Sequence, residues 1–174
     1  MRSGLQCGFF VIYCKGNLCR GSEFVLTAYE QMMKFEIGLE IGLLSMEELR
    51  AFLSERLRDS EVPYIYTAVF LTLDKGPEAV TETIFYNLQG QYIMDRAAGN
   101  TVQRLLIGVI RDKWKAGLMD TPQCVHFLQR LTDYSECGWE LLAIDEYYRL
   151  NQSGYSSDEE FGQMLDRILS QGIS

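Results

Sequence analysis

Residues 35–57, FEIGLEIGLLSMEELRAFLSERL, read as two helices joined by a short turn. The first is predicted to end near Gly42, because glycine accepts the left-handed conformation that closes a helix. Ser45 opens the second. With Glu48 three residues on it makes a capping box, in which the Ser45 hydroxyl takes the free N–H of Glu48 and the Glu48 carboxylate reaches back to the Ser45 N–H. Leu49, Phe52, Leu53 and Leu57 then recur at helical spacing on one face. A chain that opens in this way is committed to burying helical faces against one another.

The same grammar continues to the C-terminus. Gly76-Pro77 breaks the chain and starts a helix with Val80, Ile84 and Leu88 on one face and Gly90 as its stop. Asn100 is predicted as the next N-cap, with Gln103 at N3, ahead of the widest apolar stripe: Val102, Leu105, Leu106, Val109, Ile110 and Trp114, closed by Gly117. This is the expected central core helix. Thr121-Pro122 opens another, with Val125, Leu128 and Leu131 inward. Trp139, Leu142 and Ile144 belong to the one after, ended by Gly154. Ser157 and Glu160 then repeat the capping box before Phe161, Met164, Leu165, Ile168 and Leu169. Residues 64–74 have the β-branched and aromatic content of a strand but are apolar on both faces, and among so many helices they are read as helix.

The expected fold is all-α, a single domain of seven or eight antiparallel helices over residues 23–174. Residues 1–22 differ in character: they hold three of the five cysteines, four glycines and the apolar run at 9–13. They read as an N-terminal extension, a short strand or disordered, since a lone strand has nothing to pair with. Every strong cap and stripe lies after Glu23, so a chain begun at Met32 is expected to keep its cooperative fold.

At 174 residues the chain is long enough to bury a core without disulfide staples. Its formal charge of −8 argues against nucleic acid, which needs a basic surface, and suits a basic protein partner. An odd, irregularly spaced set of cysteines fits a reducing cytosol, no apolar run reaches membrane-spanning length, and the location expected is cytoplasmic.

One short motif argues for chemistry. Cys14, Gly16, Asn17, Cys19 and Arg20 follow an apolar run, and this stretch resembles the phosphate-binding loop of low-molecular-weight protein tyrosine phosphatases, C-x-G-N-x-C-R-S. The resemblance implies a Cys14 thiolate that attacks phosphorus and an Arg20 fork on the equatorial oxygens. The chain departs from that family at Gly21, where a hydroxyl would steady the thiolate, and it lacks the Asp-Pro pair that carries the general acid. Catalysis by Cys14 and Arg20 is therefore the alternative, and no catalytic residue is assigned in the main reading. His126, the only histidine, lies two residues from Cys124, and on a helix such residues face apart. No metal site and no cofactor are expected.

The second feature is acidic and aromatic. From Thr132 onward, Asp133, Glu136, Glu140, Asp145, Glu146, Asp158, Glu159, Glu160 and Asp166 face only Arg149 and Arg167. Tyr147 and Tyr148 sit among them. A solvated helical surface accounts for such a run; a docking surface also does, since Tyr anchors interfaces and acids speed capture of a basic partner. The expected partner-binding residues are Asp133, Glu136, Glu140, Asp145, Glu146, Tyr147 and Tyr148.

Residues 35–168 also resemble a group of small all-helical bacterial proteins encoded beside polymorphic or contact-dependent toxins. The IGLLSMEEL turn, Glu61-Val62-Pro63-Tyr64, Ala116-Gly117-Leu118 and Asp145-Glu146-Tyr147 carry the resemblance. It implies a toxin-neutralising, or immunity, role in which an acidic face blocks a basic toxin domain and no side chain does chemistry.

Overall fold

Four of the helices begin with a reciprocal capping box, two of them at the serines expected. Ser45 accepts from the Glu48 N–H at 3.2 Å while its own N–H donates to Glu48 Oε2 at 2.6 Å, and Ser157 with Glu160 repeats the arrangement. Thr27 with Glu30 and Asp120 with Gln123 are built alike. The computed structural model describes residues 27–92, 96–134 and 139–172. Its elements are α1 (Ala28–Glu40), α2 (Met46–Arg56), α3 (Tyr64–Phe70), α4 (Pro77–Tyr92), α5 (Arg96–Lys115), α6 (Thr121–Arg130), α7 (Trp139–Leu142), α8 (Ile144–Gln152) and α9 (Asp158–Leu169), with single 3-10 turns at Leu73–Lys75 and Leu131–Asp133. No strand occurs among the described residues. The single turn α7 is parted from α8 only by Ala143, so the two count as one interrupted helix and the described residues form eight helical bodies.

The all-α expectation is met, and residues 64–74 are helix followed by a 3-10 turn. The extension at 1–22 lies outside the described residues. Three expectations about helix ends are corrected. The first helix starts at Ala28, not near Phe35, because Thr27 caps it; Met32 is fully buried and Met33 nearly so, so a chain begun at Met32 would lose both the cap and the first turn. Asn100 is no cap: α5 begins at Arg96 and runs straight through it. Gly90 does not stop α4, which continues to Tyr92.

Helix α1 is the hub of one half, packing against α3, α4 and α5, while α5 carries the contact onward to α6 and α9. The core is continuous. Met32, Phe35, Leu49, Leu53 and Val69 join Val80, Ile84 and Leu88 of α4, then Val102, Leu106 and Ile110 of α5, and then Leu128, Ile144, Leu165 and Ile168. Burial of such side chains stabilises by about 1.5–3 kcal/mol each relative to exposure. Gly117, at φ +70°, closes α5 with a bond from the Leu118 N–H to the Lys113 carbonyl at 2.9 Å, the pattern of a glycine-terminated helix.

Two close approaches lock the ends of the bundle. Gly38 lets Leu44 fold back on α1, since a Cβ there would lie 2.5 Å from Leu44 Cδ1. At the C-terminus Gly172 sits on α5, where a Cβ would lie 2.5 Å from the Gly108 backbone nitrogen, and Arg111 Nη1 donates to the Gly172 carbonyl at 3.0 Å.

Candidate functional site

The α8–α9 hairpin is anchored by Ile144, which is wholly buried, and by the apolar stripe of α9. Its turn is held by Asn151, whose Nδ2 donates to Asp158 Oδ1 at 2.9 Å and to the Ser156 carbonyl at 3.4 Å. Tyr147 and Tyr148 are both half-buried against the core. Consecutive helical residues point about 100° apart, so the two rings leave α8 in different directions. Tyr148 packs on Phe161 with ring centroids 5.6 Å apart.

Phe161 separates two clefts. One, of about 410 Å³, opens between α5, α6, α8 and α9 and is lined by Trp114, Tyr148, Phe161, Asp158 and Asp166 among others. The second, of about 360 Å³, is lined by Tyr147, Tyr155, Glu160, Met164 and Arg167. Tyr155 at its mouth is 83% exposed. The Ser156 hydroxyl beside it is buried with no hydrogen-bond partner among the described residues.

The expected acidic and aromatic residues are not gathered on one face. Asp133 is exposed in the 3-10 turn after α6, Glu140 falls in α7, and Glu136 lies outside the described residues. Asp145 is partly covered and pairs with Arg149 one turn on, at 2.7 Å, which neutralises much of its field locally. Glu146 points to solvent. Tyr147 and Tyr148 serve different clefts. Sequence reasoning passed over Trp114, Asp158, Phe161, Gly162 and Asp166 as site residues. Asp158, Gly162 and Asp166 recur every four residues beside the apolar stripe of α9, and that small, acidic stripe was the available signal.

Other polar groups here are structural. Burial raises the Tyr134 hydroxyl above its ordinary pKa; the charge and hydrogen bond of Glu40 push the same way, and Arg130 pulls back less strongly. Tyr134 thus ties the turn after α6 to the end of α1. Burial pushes the Cys124 thiol up to about 12, so it stays protonated and unreactive. His126 points to solvent with its edge near the Phe127 ring, at 5.6 Å between centroids, and does not meet Cys124. Among the described residues no three His, Cys, Asp or Glu side chains come close enough to hold a metal ion. Cys14 and Arg20 lie outside the described residues. No helix of the described residues is long and apolar enough to cross a membrane.

A scan against protein-family models matches no family, and searches of curated proteins and of solved structures return no match.

Proposed function

We propose that this chain is a non-catalytic binding domain that captures a basic protein partner through its α8–α9 end. Its sharpest form is the immunity reading, in which the partner is a toxin domain held inactive by occlusion. The observation that supports it is the pair of aromatic clefts flanking Phe161, with carboxylates at their rims, in a chain of formal charge −8. Half-exposed tyrosines beside concave apolar surface are the usual anchors of protein interfaces, and surrounding acids steer a basic partner toward them.

The test is co-purification with the product of the neighbouring gene, followed by binding kinetics. The on-rate is expected to fall as salt rises, because the Debye length shrinks from about 10 Å at 0.1 M to about 3 Å at 1 M. Glu146→Lys with Asp145→Lys should slow capture, while Tyr147→Ala and Tyr148→Ala should mainly speed release. Capture that is indifferent to salt and to the charge reversal would place the interface elsewhere. A neighbouring gene that encodes no toxin-like domain would remove the immunity form of the proposal.

The alternative rests on the spacing from Cys14 to Arg20. It requires steady hydrolysis of an aryl phosphate that disappears in Cys14→Ser and loses phosphate affinity in Arg20→Ala. We expect no turnover above background, since a leaving phenolate without a general acid departs slowly.

A further inference from the structure

The two clefts differ in charge. Glu160 and Arg167 balance one another in the smaller. The larger carries Asp158 and Asp166, and no Lys, Arg or His lines it among the described residues. Its aromatic lining, Trp114, Tyr148 and Phe161, adds the negative ring faces that attract a cation. Its neutral donors, among them Thr121, Asn151 and Gln152, offer an anion no countercharge. The N-terminus of α6, which borders the cleft at Thr121 and Pro122, is already answered by the Asp120 carboxylate, and that of α9 by Ser157.

The floor of this cleft is Gly162, midway between Asp158 and Asp166 on one face of α9. A glycine inside a helix is unfavourable, and packing does not account for this one, because a Cβ there would meet nothing within 4 Å. The open space is the cleft itself.

We propose that this cleft is a subsite for an arginine side chain of the basic partner, held by the rings of Trp114, Tyr148 and Phe161 and by the carboxylates of Asp158 and Asp166. The inference rests on the partner-capture reading above. A planar guanidinium stacks on aromatic faces and forks onto carboxylates, whereas a lysine ammonium is a hydrated point charge. A volume of about 410 Å³ is ample for such a group.

The probes are N-acetyl-arginine amide and its neutral near-isostere N-acetyl-citrulline amide, titrated into the full chain and followed by the Trp114 indole N–H and the Gly162 amide in NMR spectra. The arginine amide should shift both signals, and the citrulline amide should bind at least about five-fold more weakly, the scale expected for two half-screened carboxylates. Asp158→Asn with Asp166→Asn should abolish that preference while keeping the side-chain shapes. Gly162→Leu should block both probes by filling the floor. Equal binding of the two probes, an unchanged preference in the double Asn variant, or no shift at tens of millimolar would each overturn the subsite. Loss of the subsite with salt-dependent capture of the partner intact would leave the wider reading standing. Binding of the arginine amide with partner capture unaffected by Gly162→Leu would show that the cleft does not serve the partner, and would also overturn the proposal.

Discussion

The two ends of the bundle begin with the same local device and put it to different use. At the α1–α2 end, Glu48 completes its capping box and also meets Lys113, delivered by α5 from 65 positions away at 2.9 Å, while the same ammonium donates to the Leu43 carbonyl at 2.7 Å. Burial alone would raise the Glu48 carboxyl. The hydrogen bond and charge of Lys113, together with the Ser45 N–H and hydroxyl, outweigh it and hold the group below the usual carboxylate range. Nearby, Lys34 lies over Phe35 at 4.6 Å, and Phe52 packs on both Phe35 and Tyr66. At the α8–α9 end, Ser157 and Glu160 form the same box, yet Glu160 is exposed and gains its stabilisation from Ser157. At one end the carboxylate is also met by a cation from a distant helix; at the other the polar pairs, Glu160 with Ser157 and Asp158 with Asn151, stay within the hairpin beside the clefts. The lesson is that a capping box reports where a helix starts, and a remote cation decides whether that end becomes a closed joint or an open surface.

The largest test of this contrast compares core with cleft. Leu53 is wholly buried, so Leu53→Ala should cost about 2–5 kcal/mol in urea unfolding. Tyr148→Ala, half-buried at a cleft wall, should cost less than about 2 kcal/mol. Equal losses would make Tyr148 a core residue and erase the distinction.

A pair of glycines sharpens it. Gly172→Ala would drive a methyl into the backbone of α5 and should destabilise by about 1–3 kcal/mol. Gly162→Ala enters open space and should stabilise by up to about 1 kcal/mol through helix propensity. Thermal melts of the two variants should move in opposite directions, and a shared direction would mean that the cleft floor is not open.

The smallest effect is in acid. A carboxyl with a lowered folded pKa contributes stability above its unfolded value of about 4.3, and that contribution is lost as pH falls through the lower folded value. Glu48→Gln should therefore be less stable than the parent at pH 7, with the gap narrowing as pH falls below the unfolded value. Glu160→Gln should show the same sign and a smaller narrowing, because no cation joins Ser157 in lowering its pKa. Melts across that range check both. A Glu48→Gln gap that does not change with pH would show that the Lys113 contact adds nothing electrostatic.

Much of the architecture was legible because it is local. Ser45 and Ser157 announce their helices through hydrogen bonds spanning three residues, Gly117 ends α5 by its positive φ, and the stripes of α4, α5 and α9 face inward as spaced. The errors are also local in origin. Asn100 mimics a cap, but Ala97 and Ala98 before it are strong helix formers and carry α5 back to Arg96. Thr27 and Glu30 spell the same capping box as Ser45 and Glu48, and overlooking it placed the start of α1 too late.

The candidate site was legible only in part. Tyr147 and Tyr148 were singled out together, yet the helical rotation between them sends their rings to opposite sides of Phe161. Asp145 counted as acidic surface until Arg149 paired with it.

By itself, then, the sequence determined the helical class, most helix starts and stops, and the inward face of each helix, because these depend on interactions within a few residues. Tertiary structure decided which charges are neutralised and where concavity lies. Lys113 meets Glu48, Trp114 shares a cleft with Tyr148 and Asp158, and Gly172 rests on Gly108 only after α5 has packed between the two halves. Side chains dozens of residues apart carry no joint signature in the chain, since the physical relation between them is distance in space and exists only in the folded state.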